Sequence, residues 1–238
     1  MGRPERPVDQ TVPARAQLAD FLRARRRAAG LTYRQMATLM AGQPSAATFE
    51  RATSGTIVPS WPTVRHFVFA TMVEDSLRTV MELNDSHELW VRARRATRAP
   101  YYVHKEPDPS LISDAAGFLR ALRHQHVWSG YPTPGEMERM SGPGELPRTT
   151  TRRIIEGDAL PVDPRQAIAF LRACYVREEA EIELWLAAAV RSLRNDSARS
   201  KNIDRWINVH QEVSARVVDK RSSSGIIDLR KKIRQKAA

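Results

Sequence analysis

Apolar residues along this chain recur at intervals of three and four, and the intervals restart at Ser, Thr or Asp residues able to cap a helix. Leu18, Phe21, Leu22 and Ala28 form one stripe that Gly30 closes, which predicts a first helix over residues 14–29. Thr32-Tyr33-Arg34-Gln35 has capping-box spacing and opens a short second helix turning Met36, Leu39 and Met40 inward. Gly42-Gln43-Pro44 breaks it, and Ser45 caps a third helix, residues 46–54, with Phe49 and Ala52 toward the core and Gly55 at its end. Ser60-Trp61-Pro62 starts a fourth helix through Val64, Phe67, Val68 and Met72. A fifth, residues 85–97, carries Leu89, Trp90 and Ala93, while residues 74–84 have helical spacing without clear boundaries.

The same order then returns. Gly55, Pro59 and Pro62 have the spacing of Gly157, Pro161 and Pro164. Phe21-Leu22-Arg23-Ala24 and Phe118-Leu119-Arg120-Ala121 precede the two frames, and Glu88-Leu89-Trp90 and Glu183-Leu184-Trp185 follow them. The match predicts two homologous helical units in tandem. In the second, helices are expected over residues 111–126, over 133–140 with Thr133 and Glu136 in capping-box spacing, and over 148–156. A fourth begins at Asp163-Pro164 and carries Ile168, Phe170, Leu171 and Cys174, and a fifth covers residues 177–193. No strand-period run with hairpin signals occurs, so the expected fold is all-α.

The expected organisation is a disordered arm at residues 1–13, a first five-helix domain at 14–98, a proline-rich linker at 99–110, a second domain at 111–196 and a basic C-terminal extension at 197–238. The extension predicts an amphipathic helix over residues 203–220, through Trp206, Ile207, Val209, Val213, Val217 and Val218. A shorter helix follows Gly225. Such helices need a surface, which the second unit, a partner subunit or a ligand can supply.

Charge narrows the choice of partner. The 238 residues hold 38 Lys and Arg against 27 Asp and Glu, a net charge of +11, which favours nucleic acid first and an anionic membrane surface second. From Ser197 onward, eleven basic residues face four acidic ones, so most of the excess lies in the extension. That extension reads as a phosphate-tracking arm, a dimerisation element or a solvated end. A single cysteine, Cys174, excludes an internal disulfide framework and fits a reducing cytosol. No stretch approaches the apolar length of a membrane span, and the arm does not read as an export signal.

The residues do not favour a metal site or a catalytic constellation. His124 and His126, two apart on a helix, point in different directions, so no metal site is expected. Tyr101-Tyr102 lacks a surrounding catalytic constellation, and Cys174 reads as a small core residue. Trp90 and Trp185 read as core anchors, and Trp61 as packing at a helix start. No enzyme activity and no cofactor are expected.

Leu31-Thr32-Tyr33-Arg34-Gln35-Met36-Ala37-Thr38-Leu39-Met40, then Ser45-Ala46-Ala47-Thr48-Phe49-Glu50-Arg51-Ala52, closing with Gly55 and Pro59, resembles the Cro/repressor-type (XRE) helix-turn-helix family. The second unit resembles an actinobacterial variant, with Trp128-Ser129-Gly130, then Leu146-Pro147-Arg148-Thr149-Thr150-Thr151, Gly157, Leu160-Pro161 and Ala173-Cys174. The resemblance implies a third helix that enters the major groove of double-stranded DNA while the second crosses the backbone. In the first unit it assigns Ala46, Ala47, Thr48, Glu50 and Arg51 to the groove, Arg51 toward guanine and Ala47 or Thr48 toward a thymine methyl. Tyr33, Arg34 and Gln35 come near phosphates. In the second it assigns Arg148, Thr149, Thr150 and Arg152 to bases, with Arg153 near a phosphate.

The first unit has an extra residue in its turn at Gln43-Pro44 and the second an enlarged turn from Ser141 to Glu145, but the second reader is the more basic. The expected function is that of a transcriptional regulator, repressor-like by family habit, in the cytoplasm at the nucleoid. A homodimer through the extension is one option. The alternative is a protein-interaction scaffold in a plasmid, telomere or conjugation complex.

Overall fold

The structure, a computed structural model, describes residues 5–72, 76–98, 105–194 and 202–236. Tyr101 and Tyr102, with the rest of 99–104, lie outside the described residues. Those described form α-helices and no strand, so the chain is all-α. It divides into two compact units, Met1–His104 and Lys105–Ala238. No described helix is long and apolar enough to cross a membrane.

The first unit contains α1 (Pro13–Ala28), α2 (Tyr33–Leu39), α3 (Ala46–Ala52), α4 (Trp61–Ala70) and α5 (Ser76–Arg98). Local chemistry sets most of these bounds. Thr32 and Gln35 complete both halves of a capping box, the Thr32 amide donating to Gln35 Oε1 at 2.9 Å and the Gln35 amide to Thr32 Oγ1 at 3.3 Å. Ser45 and Ser60 cap α3 and α4 through the amides of Thr48 and Thr63. Residues 76–84, left open by the sequence, join the expected fifth helix in one element.

Leu18, Leu22, Met36, Phe49, Val64, Phe67, Val68, Trp90 and Ala93 form the core, with Phe49 and Phe67 edge to face at 5.5 Å. The Trp90 indole donates to the Pro59 carbonyl at 2.8 Å, tying the loop after α3 to α5. Leu39 is a correction: it is 60 % exposed, and the buried pair of α2 is Met36 and Ala37, because the helix ends before another turn could carry the stripe inward. Arg25 bonds Thr71 Oγ1 at 3.1 Å and pairs with Glu82 at 2.7 Å, joining α1 to the end of α4 and to α5.

The arm differs from expectation. Its residues from Glu5 onward are docked, with the Asp9 amide donating to the Ser54 carbonyl at 2.9 Å. Gly55 permits this approach. It sits at φ +76°, and a Cβ there would lie 2.6 Å from the Asp9 carbonyl oxygen. Gly55→Ala is therefore expected to destabilise the first unit by at least about 1–2 kcal/mol from backbone strain alone. It should also speed hydrogen exchange at the Asp9 amide. Unchanged protection there would show that the arm does not depend on this contact.

The second unit opens with a 3-10 turn, Pro109–Leu111, followed by α6 (Ala115–Trp128), α7 (Pro134–Ser141), α8 (Arg148–Glu156), α9 (Pro164–Ala173), α10 (Glu179–Arg194) and α11 (Ile203–Lys236). The first of these helices starts later than residue 111 because Asp114 caps it, accepting from the Gly117 amide at 2.7 Å. Arg191 of α10 holds the turn before it, donating to the carbonyls of Ile112 and Pro109 at 2.8 and 2.9 Å. Thr133 and Glu136 form a capping box, and Asp163 caps α9 with Pro164 as its first residue. Burial pushes the Cys174 thiol up to about 12, so it stays protonated.

The first turn, expected to hold an extra residue, and the second, expected to be enlarged, have the same length. Six residues separate α2 from α3 and six separate α7 from α8; the extra residue lies in α7, which has eight residues against seven in α2.

The C-terminal extension is a second correction. It is one helix running through Gly225 without a break. A glycine inside a helix costs only about 1 kcal/mol relative to alanine, too little by itself to end a helix that continues on both sides. Trp206, Val213 and Val217 are buried in the same core as Phe118, Ile182 and Trp185, with the Trp206 and Phe118 rings 6.3 Å apart. The surface that residues 203–217 lie on is thus α10 and its neighbours. Glu183 of α10 accepts from Ser214 Oγ at 3.2 Å and lies 3.0 Å from His210 Nε2.

Candidate nucleic-acid interface

In the first unit, α2 and the Ser45 cap present α3 with one face inward, through Phe49 and Ala52, and the other outward. Ala47, Glu50 and Arg51 are exposed on that outer face, and Ala46 and Thr48 are half-buried. The Thr48 hydroxyl is 3.0 Å from the Ser45 hydroxyl, so it belongs to the cap. On α2, Arg34 is exposed, while Gln35 spends its side-chain oxygen on the capping box. The Tyr33 hydroxyl donates to Glu5 of the arm and lies 2.6 Å from Thr53 Oγ1.

In the second unit, α8 turns Thr151 and Ile154 inward and leaves Arg148, Thr149, Arg152 and Arg153 exposed, with Thr150 half-buried. Arg148 Nε donates to Glu138 of α7 at 2.5 Å, and Arg152 Nε donates to Glu156 at 2.8 Å. These side chains are 63 % and 73 % exposed, so such pairs are worth little in water and exchange readily for another anion.

Both outer helices are fastened in the same way. Arg23 Nε donates to the Thr53 carbonyl at 2.9 Å, and Arg123 Nε donates to the Ile155 carbonyl at 2.9 Å. Each acceptor stands two residues before the frame glycine, Gly55 or Gly157. This geometry corrects the register of the first helices: Leu18 matches Phe118, Leu22 matches Leu122 and Arg23 matches Arg123, each Leu and Phe being buried. The shared Phe-Leu-Arg-Ala is displaced from that register, since Phe118 is buried where Phe21 is only half-buried.

The residues that sequence reasoning missed are Glu5, Arg23 and Arg26. Arg26 Nη2 lies 3.1 Å from Glu5 Oε2, and Arg23 Nε lies 3.5 Å from Glu5 Oε1. Burial by itself raises the Glu5 pKa, but the Tyr33 hydrogen bond and the two guanidinium charges outweigh it and hold the carboxyl below its ordinary range. Burial, then the bond to Glu5, push the Tyr33 hydroxyl up. Because the folded pKa of Glu5 is depressed, its contribution to stability is present above the unfolded value, about 4.3, and fades as pH falls through the folded one. The difference in Tm between wild type and Glu5→Gln should therefore be present at pH 7 and close below about pH 4. A gap that persists in acid would show that the Glu5 charge is not its source.

His126 is buried with Nε2 2.8 Å from the Pro132 carbonyl oxygen and serves the approach to α7.

The geometry of the first unit is that of a helix-turn-helix domain, a class of fold that carries DNA recognition. The model of the family described as helix-turn-helix domain matches residues 17–80, from within α1 into α5. No curated protein and no solved structure matches the chain.

Proposed function

We propose that this chain is a sequence-specific double-stranded-DNA-binding protein, a transcriptional regulator of repressor type, with two helix-turn-helix units in tandem. The observation that supports it most is the shared fastening of α3 and α8. Arg23 and Arg123 make the same bond at the same distance from the frame glycine, beside capping boxes at Thr32 and Thr133 and buried methionines at Met36 and Met137. Side chains that reproduce a supporting scaffold leave the outer face to vary, as expected of two readers with different target bases.

On this reading α8 is the stronger reader. Arg148, Arg152 and Arg153 supply charge for phosphates and the planar donors that suit guanine, while α3 offers Arg51 beside Glu50. Two linked readers raise the effective concentration of the second once the first has bound. The protein acts at the nucleoid and needs no cofactor.

Selection from random duplexes by the full chain tests the proposal. A defined site should emerge, and its affinity should fall steeply as salt rises. Failure to enrich any sequence, with no salt-dependent binding, sinks it. The Ala46, Ala47 and Glu50 face favours a second reading for the first unit alone, as a protein-docking module. It gains support if the selected site is unaltered by Arg51→Ala and spans a single groove segment.

A further inference from the structure

Glu5 sits where three donors converge between α1, α2 and α3. None of the three relies on Glu5 for its position. Arg23 Nε also donates to the Thr53 carbonyl at 2.9 Å, Arg26 Nη1 donates to the Leu31 carbonyl at 3.0 Å, and the Tyr33 hydroxyl lies 2.6 Å from Thr53 Oγ1. The Arg26 guanidinium also lies over the Tyr33 ring at 4.7 Å. The first three helices therefore hold the seat, whatever occupies it.

The seat also demands an anion. The Arg23 and Arg26 side chains are only 8 % and 19 % exposed, and removing the partner of desolvated cations is costly unless another takes its place. Guanidinium groups with a phenol beside them suit phosphate oxygens as well as they suit a carboxylate. The surrounding pocket is shared with Ala47, Glu50 and Arg51, so it opens on the outer face of α3.

We propose that Arg23, Arg26 and Tyr33 form a phosphate seat which Glu5 fills in the free protein, and that a phosphate of the DNA backbone takes it over when α3 engages DNA. The DNA half of this statement rests on the proposed function; the phosphate chemistry does not. The exchange follows from space. The pocket that holds Glu5 is also lined by Ala47, Glu50 and Arg51 of α3, so a phosphate flanking the groove that α3 enters comes to the same seat, which holds one anion at a time. Glu5 competes with DNA, and its removal strengthens binding.

Full-length wild type, Glu5→Ala, Glu5→Gln and Glu5→Ala/Tyr33→Phe are compared in two arms. In the first, inorganic phosphate is titrated against sodium chloride at matched ionic strength and Tm is followed. Phosphate should raise the Tm of both Glu5 variants more than that of wild type, and less once Tyr33→Phe is added. In the second, a selected duplex is titrated over a range of salt. Glu5→Ala should bind about tenfold tighter, with the log–log salt slope steeper by about one, as for one further phosphate neutralised.

If the Glu5 variants respond to phosphate no more than wild type and their duplex slope is unchanged, the seat is overturned. A phosphate response with an unchanged duplex slope keeps the seat for free phosphate or a phosphomonoester and overturns its use by DNA. If no form of the protein binds duplex, the proposed function falls, and the phosphate arm alone decides the seat.

Discussion

Arg148→Ala/Arg152→Ala is expected to weaken binding to the selected duplex by about 100-fold, with a clearly shallower dependence on salt. Each guanidinium is exposed and bonded to a carboxylate of its own unit, Glu138 or Glu156. Surface pairs of this kind contribute at most about 1 kcal/mol, whereas a good bidentate contact to a base discriminates by about 1–3 kcal/mol. Exchange of partners therefore favours DNA by about 1–2 kcal/mol for each arginine, and 1.4 kcal/mol is about tenfold in affinity. The fold should not suffer, because both side chains lie outside the core; Tm and helix content serve as the control. Arg51→Ala should cost about tenfold or less, since Glu50 beside it opposes phosphate and Arg51 acts alone on α3. Binding unchanged in the double variant would remove α8 from the role of principal reader.

Removal of residues 203–238 is expected to unfold the second unit. Trp206 is 3 % exposed, and Val213 and Val217 are buried beside it in a core shared with α6 and α10. Trp206→Ala alone should destabilise the unit by about 3–5 kcal/mol, a large share of the 5–15 kcal/mol typical of a whole domain. Truncation also uncovers Phe118 and leaves Glu183 without His210 and Ser214. Hydrogen exchange at amides of α6 and α10 reads the loss directly. A truncated chain with full protection there would make this helix an appendage, as its charge first suggested. The fate of α11 therefore separates a structural element from a phosphate-tracking arm, and its buried face places residues 203–217 with the former.

The bounds of α8 and the caps at Thr32, Ser45, Ser60, Thr133 and Asp163 were legible because each depends on groups within three or four residues of one another. The outward set on α8 was legible for the same reason, since helical periodicity orients Arg148 and Arg152 once Thr151 and Ile154 face in. Leu39 was misread because hydrophobicity marks a residue as suitable for a core without showing that a core is near. Gly225 was misread because a local breaking tendency of about 1 kcal/mol does not by itself end a helix that continues on both sides. The repeat in the first helices was found at the wrong register, since four shared letters carry no information about burial.

The sequence alone determined the order of the helices in the two repeats, the caps at Thr32, Ser45, Ser60, Thr133 and Asp163, the all-α class and the chemistry each outer face presents. All of these follow from bonds and periodicities a few residues long. Only the tertiary structure decided that the arm is docked, that Tyr33 holds Glu5, that Arg23 and Arg123 pin the ends of α3 and α8, and that the extension completes a core. Tyr33 and Glu5 are 28 residues apart, and Arg23 and Thr53 are 30 apart. No local preference brings such groups together; they meet because packing the apolar stripes fixes where each helix end falls, and the charged groups at those ends then find their partners.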